Sequence, residues 1–180
     1  MIKWPSKMLT IPIKLGVSAC LLGQNVRYDG KNKRYPLLKN LFDREIVWIP
    51  VCPEVELGLG TPRSRIRLEK VQDSVRLVMP ATGEDLTDAM ENYARRRVSE
   101  LRAENICGFV FKSSSPSCGM RRVPIYSGEL AHNEEGAGAF VRVLIEQWAN
   151  LPIEEESGLM EPNLQKSFVE KVLAGSRAFV

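Results

Sequence analysis

The sequence predicts an α/β fold, a Rossmann-like parallel sheet flanked by helices, with a C-terminal tail. Two observations carry this prediction. Short runs rich in Val, Ile and Phe, bounded by Gly or Pro, recur along the chain as buried parallel strands do. Segments with an apolar period near 3.6 residues alternate with them. Such alternation implies crossover units and therefore a parallel sheet.

Taken in order, the first strand is Lys14-Leu15-Gly16-Val17, running into Ser18-Ala19-Cys20. A short helix is expected from Pro36 to Phe42. The second strand, Ile46 to Ile49, runs through Pro50-Val51 into Cys52-Pro53-Glu54. A further strand is expected at Val75 to Met79 and another around Pro124 to Tyr126. Asp85 or Thr87 can cap a helix that reaches about Asn105, with Leu86, Met90, Tyr93, Val98 and Leu101 as its stripe. A strand at Ile106 to Phe111 runs into Ser113-Ser114-Ser115-Pro116-Ser117-Cys118-Gly119. A helix over Ala137 to Asn150 places Phe140, Val141, Leu144, Ile145 and Trp148 on one face, and one more helix is expected over residues 163–175. The chain divides into an arm at 1–12, a domain at 13–150 and an extension at 151–180, which can lead toward a further domain.

Composition excludes several classes. The 180 residues are 44% hydrophobic and 26% charged, which argues against gross disorder, collagen or coiled coil. A single histidine, His132, rules out a three-His zinc centre. The cysteines stand at 20, 52, 107 and 118 without a C-x-x-C pair, against a zinc ribbon or a thioredoxin motif. Met1 to Thr10 holds no apolar signal-peptide core, and no run of apolar residues suits a membrane span. The expected compartment is the cytoplasm, where thiols stay reduced.

The net charge of +3 and a pI near 8.7 are mildly basic. Basic residues cluster at Lys31, Lys33 and Arg34, at Arg63 and Arg65, at Arg95 to Arg97, and at Arg121 and Arg122. The plain reading of any one cluster is a solvated face, and the sharper one is a rim facing phosphate. Arg95 to Arg97 is expected to be solvated. Acidic residues gather late, at Glu154, Glu155 and Glu156.

Cys20, Cys52 and Cys118 each lie just beyond an expected strand, whereas Cys107 lies within one. Parallel strands bring their carboxyl ends to one edge, where ligands of open α/β sheets sit. Cys107 reads as a small core residue. For the other three, spacing leaves open a structural zinc, plain core cysteines, or an iron–sulfur cluster held by three thiolates with one open iron.

The blocks Ser18-Ala19-Cys20-Leu21-Leu22-Gly23, Val26-Arg27-Tyr28-Asp29-Gly30, Cys52-Pro53-Glu54 and Ser115-Pro116-Ser117-Cys118-Gly119 occur in that order. Together they resemble the signatures of the DUF523 family of thiouracil desulfidases over roughly residues 13–150. The resemblance implies a [4Fe–4S] cluster on Cys20, Cys52 and Cys118. It also implies non-redox removal of sulfur from a thiolated uracil, giving uracil and sulfide. Longer relatives fuse this domain to a DUF1722 domain and are associated with 4-thiouridine in tRNA. Pro62-Arg63-Ser64-Arg65 departs from the Pro-Arg-Pro common in the family, which bears on the shape of that loop.

Such chemistry needs proton management beside the open iron. Glu54, two residues past a ligand, is the first choice as general base, with Glu56 as its substitute. Ser115 is placed to orient water or the base edge, and Asp29 is third. Each has a plain alternative: a helix-start acid, a self-capping hydroxyl and a turn former. Lys31, Arg34, Arg63 and Arg121 are the expected contacts to substrate phosphate. The competing reading is a metal-binding interaction module, with structural zinc or iron–sulfur and no catalysis.

Overall fold

A computed structural model describes residues 12–128 and 130–176, and the side chains of 130–134 are not described. The expected arm at 1–12 therefore lies outside the described residues except for Pro12, and so does the side chain of His132.

The protein contains an all-parallel, four-stranded sheet with order β2-β1-β6-β9. Its strands are β1 (Ile13–Ser18), β2 (Ile46–Val51), β6 (Phe109–Phe111) and β9 (Ile153–Glu155). β1 is central, and Leu15 and Val17 have no solvent exposure. Gly16 lies flat against the Phe109 ring, and a Cβ there would overlap the ring carbons. The α/β class expected from alternating signals is thus the observed one. The stretch expected as an extension supplies edge strand β9, paired with β6 through Phe109–Ile153 and Phe111–Glu155.

Helices cover both faces of this sheet. On one face, α2 (Thr87–Ala103) and α3 (Ala139–Gln147) bury Met90, Tyr93, Val98, Leu101, Phe140 and Leu144 against Phe109 and Phe111. The stacked Phe109 and Phe111 rings lie 4.1 Å apart. On the other face, α4 (Pro162–Ser176) packs Phe168 and Val172 with Leu15, Val17 and Val110. The face read for α3 needs one change: Val143 is buried and Ile145 is exposed. The cap expected at Asp85 or Thr87 falls on Leu86 instead, and Asp85, one residue earlier, accepts the Thr87 amide at 2.9 Å.

A second sheet lies beyond α2 and was not anticipated from the sequence. It comprises β3 (Arg67–Val71), β4 (Ser74–Met79), β5 (Glu84–Asp85), β7 (Val123–Ser127) and β8 (Leu130–Gly136), in the order β5-β4-β3-β7-β8. β3 and β4 form a hairpin turned at Gln72, whose φ is 55°. β3 and β7 are parallel, and the remaining pairs are antiparallel. The strands expected at 75–79 and 124–126 belong here rather than to the parallel sheet. Arg67-Leu68-Glu69-Lys70-Val71 buries only Leu68 fully, and that thin alternation hides β3 in the sequence. No helix among the described residues is long and apolar enough to cross a membrane.

Candidate metal centre and active site

The carboxyl ends of β1, β2 and β6 open onto one cavity of about 230 Å³. β1 passes into a 3₁₀ turn, Ala19–Leu22, that carries Cys20 and closes on Gly23 at φ 95°. The Cys20 carbonyl accepts the Gly23 and Lys33 amides at 3.2 and 3.0 Å. β2 ends at Val51, and Cys52 begins the single-turn helix α1 (Pro53–Glu56), with Pro53 in its first turn. β6 ends at Phe111, and its loop carries Ser115, Ser117 and Cys118.

That third loop is held by its own serine. Ser115 Oγ accepts the Cys118 amide at 3.1 Å and the Ser117 amide at 3.3 Å. Ala139 and Phe140, at the start of α3, donate amides to the Pro116 and Ser117 carbonyls at 2.9 and 3.1 Å. Gly119 and Gly138 allow this close packing, since a Cβ at either would press on Ser115 or Ser117 backbone. The plain reading of Ser115 as a backbone cap is thus correct, and it still lines the cavity.

Cys20, Cys52 and Cys118 all line the cavity. Burial pushes the Cys20 thiol up to about 11, and the neighbouring Cys52 charge adds to this. Burial raises Cys118 well above the ordinary thiol value, against a hydrogen bond with Ser18, and raises Cys52 as well. Cys118 feels the charges of both Cys52 and Cys20, so the three form one electrostatic group. Cys107 belongs to the apolar core, with its thiol raised by burial.

Among the described residues, no three His, Cys, Asp or Glu side chains are grouped to hold a metal ion. Three cysteine thiols on one cavity wall are the kind of donor set that would hold an iron–sulfur cluster. Thiols that burial or partial burial holds against ionisation are ionised readily by a bound cationic centre.

Glu54 lies on the cavity wall. Its Oε1 accepts Ser117 Oγ at 3.0 Å. Its Oε2 accepts Arg63 Nε at 2.9 Å and also Arg63 Nη2. Arg63 Nη1 donates to the carbonyls of Val26 at 2.9 Å and Gly60 at 2.8 Å. The Arg63 side chain is only 4% exposed. Arg63 is thus turned inward to orient Glu54, in place of the phosphate contact expected of it.

Glu56 does not replace Glu54. It is exposed and off the cavity wall, accepting the Cys52 amide at 2.9 Å and Tyr93 Oη at 2.7 Å and forming an ion pair with Arg97 Nε at 3.2 Å. Arg97 was expected to be solvated, but this contact and Glu100 and Glu104 hold it half-buried. Asp29 is a turn former off the cavity wall, accepting the Lys31 amide at 3.2 Å and Arg27 Nε at 3.4 Å.

Of the other cations expected at phosphate, Lys31 and Arg34 are exposed and off the wall, and Arg121 pairs with Glu154 at 2.8 Å. The cations on the wall are Arg27, Arg63, Arg65 and Lys112. Arg65 and Arg27 flank the Tyr28 ring, at 4.6 and 5.4 Å from its centroid. Arg65, in a cluster whose sharper reading is a rim facing phosphate, is on the wall, whereas sequence reasoning did not single out Ser117, Arg27 or Lys112 as site residues. Ser117 and Arg27 stand inside quoted motifs, and Lys112 opens the Cys118 loop, so position relative to a strand end was the available signal.

The 2-thiouracil desulfurase family model matches residues 15–156. The uncharacterized protein YbbK of Bacillus subtilis (strain 168) is 27% identical over 136 residues, 73% of this chain and 88% of the relative. The solved [4Fe-4S]-dependent thiouracil desulfidase TudS is 31% identical, with a TM-score of 0.62 over 86% of this chain and 98% of that one. With the family model spanning both the parallel sheet and all three cysteine loops, this chain belongs to the 2-thiouracil desulfurase family.

Proposed function

We propose that this chain is an iron–sulfur-dependent desulfidase that removes sulfur from a thiolated uracil without net redox change. The observation that carries the reading is the convergence of Cys20, Cys52, Cys118 and Glu54 on one cavity. Bound to Cys20, Cys52 and Cys118, a [4Fe–4S] cluster would supply one iron free of protein ligands, a soft Lewis acid for the thiocarbonyl sulfur.

The chain's own residues manage water and protons. Water supplies the oxygen that replaces sulfur at the ring carbon, and its two protons and the departing sulfur leave as hydrogen sulfide or its anion. Glu54 takes a proton from that water at Oε1, the oxygen turned toward Ser117. Arg63 fixes the other oxygen, so the carboxylate keeps one orientation. Ser115 Oγ already accepts two amides, so its own proton points outward to donate to a carbonyl of the base.

The substrate is a free thiolated base, its nucleotide or 4-thiouridine in tRNA. Arg27 and Arg65 at the wall suit a phosphate on a nucleotide, with Lys31 and Arg34 farther out for a longer RNA. A DUF1722-type domain, fused or separate, is the partner this reading expects for tRNA, and the compartment is the cytoplasm.

The test is anaerobic cluster reconstitution followed by assays on 2-thiouracil, 4-thiouracil, 4-thiouridine monophosphate and thiolated tRNA. Brown protein that releases sulfide from one of these is expected. Steep loss of binding with salt would mark the tRNA substrate. Colourless protein holding stoichiometric zinc would overturn the reading.

A further inference from the structure

Three consecutive glutamates stand where β9 ends, and the desulfidase chemistry uses none of them. Their carboxylates lie against the loop that carries Cys118. Glu156 accepts Lys112 Nζ at 2.6 Å, the Ser113 amide at 2.7 Å and Ser113 Oγ at 2.8 Å. Glu155 Oε1 accepts the Met120 amide at 2.7 Å and the Arg121 amide at 3.4 Å. Glu154 accepts Arg121 Nη2 at 2.8 Å. Glu156 therefore grips the start of the loop, and Glu154 and Glu155 grip its end.

Burial makes this arrangement specific. Glu154 and Glu155 are each only 6% exposed. A buried carboxylate is costly unless hydrogen bonds and a cation satisfy it, and here the loop supplies both. The chain also makes room for the charge. Gly158 has its Cα against the Glu154 carboxylate, where a Cβ would collide with it. Lys112 commits its three protons to Ser113 O, Ser113 Oγ and Glu156, so it stands on the cavity wall as a fixed charge.

We propose that Glu154, Glu155 and Glu156 form a clamp that positions the Cys118 loop for cluster binding. They are positioning residues: none lines the cavity, and each acts through the loop. The clamp comes from the edge strand of the same parallel sheet, so the carboxyl ends of all four strands build the site. The role in holding a cluster rests on the proposed function, whereas the role in ordering the loop does not.

The experiment uses Glu155→Ala and Glu155→Gln in the full chain. Hydrogen exchange of the Ser113 to Arg121 amides is measured without metal, and iron loss to a chelator is measured after reconstitution. Glu155→Ala is expected to lose protection in this loop while α2 keeps its own. It is also expected to release iron roughly 10- to 100-fold faster, the usual size of an outer-sphere support. Glu155→Gln keeps the acceptor for both amides and is expected to restore both readouts.

Unchanged loop protection in Glu155→Ala would overturn the clamp. So would lost protection with iron release as in the parent. Should Glu155→Ala fail to fold, Glu156→Gln is read by the same two measurements. In that variant an amide nitrogen replaces a charged acceptor, and the expected loss of protection centres on Ser113. If the parent chain holds no cluster while loop protection falls in the variants, the iron–sulfur reading fails and the loop clamp stands.

Discussion

The two sheets contrast in what they do for the site. In the four-stranded sheet all neighbours are parallel, so every strand delivers its carboxyl end to the same edge. That edge holds Cys20, Cys52, Cys118 and the glutamates at the end of β9. The five-stranded sheet is joined mainly by antiparallel pairs, which send successive ends to opposite edges. Among the described residues, none of its strand residues lines the cavity. It closes the core over α2 through Leu68 and Leu77 instead. A parallel sheet concentrates chemistry at one edge, whereas a mainly antiparallel one spreads its loops over both.

This contrast can be broken or sharpened by measurement. The largest effect is expected from Cys20→Ser, Cys52→Ser or Cys118→Ser, each of which should abolish stable iron binding after anaerobic reconstitution. Cys107→Ser, inside the core rather than at the edge, should keep its iron; an equal loss there would break the distinction.

Next, Glu54→Gln should lower kcat by about 10²- to 10⁴-fold with iron content unchanged, the span usual for a general base. Glu69→Gln in β3, whose carboxylate pairs with Arg67 at 2.8 Å, should leave turnover alone. Full turnover by Glu54→Gln with an intact cluster would remove it from the chemistry.

Stability should separate the sheets as well. Gly16→Ala sets a methyl into the Phe109 ring and should cost about 1–3 kcal/mol in urea unfolding, as overpacking does. The pH dependence without metal follows from the thiols. Cys20 ionises near 9.0 when unfolded and at about 11 when folded, so its contribution is fully present below pH 9. Stability should therefore fall as pH rises from 9 to 11, and Cys20→Ser should flatten that part of a Tm-against-pH curve. The smallest effect is expected from Val71→Ser at the exposed end of β3, within about 0.5 kcal/mol of the parent.

Much of the parallel sheet was legible because burial on both faces writes itself as apolar runs. Leu15 and Val17 announce β1, and Phe109 to Phe111 announce β6. The three loop cysteines were legible by the same logic, since each follows such a run. β3 was not, because an alternating strand of charged residues with one buried Leu looks like solvated chain. The inward turn of Arg63 was also illegible. Nothing in its neighbours says that it folds under Glu54 rather than outward to solvent, because its partners Val26 and Glu54 lie on a distant loop and on α1. The acidic run at 154–156 reads as a surface turn until β9 pairs with β6 and brings it beside the Cys118 loop.

By itself, the sequence determined the alternation of strands and helices, the division of four cysteines into three at strand ends and one in the core, and the family. Local periodicity and short motifs carry those facts, and they need no knowledge of distant contacts. The tertiary structure alone decided which charges face the cavity and which serve the scaffold. Glu54 and Glu56 are two residues apart on one short helix, yet one turns to the cavity and the other to Tyr93 and Arg97. The physical reason is that a carboxylate's role is set by its partners, and those partners arrive from strands and loops far away in the chain.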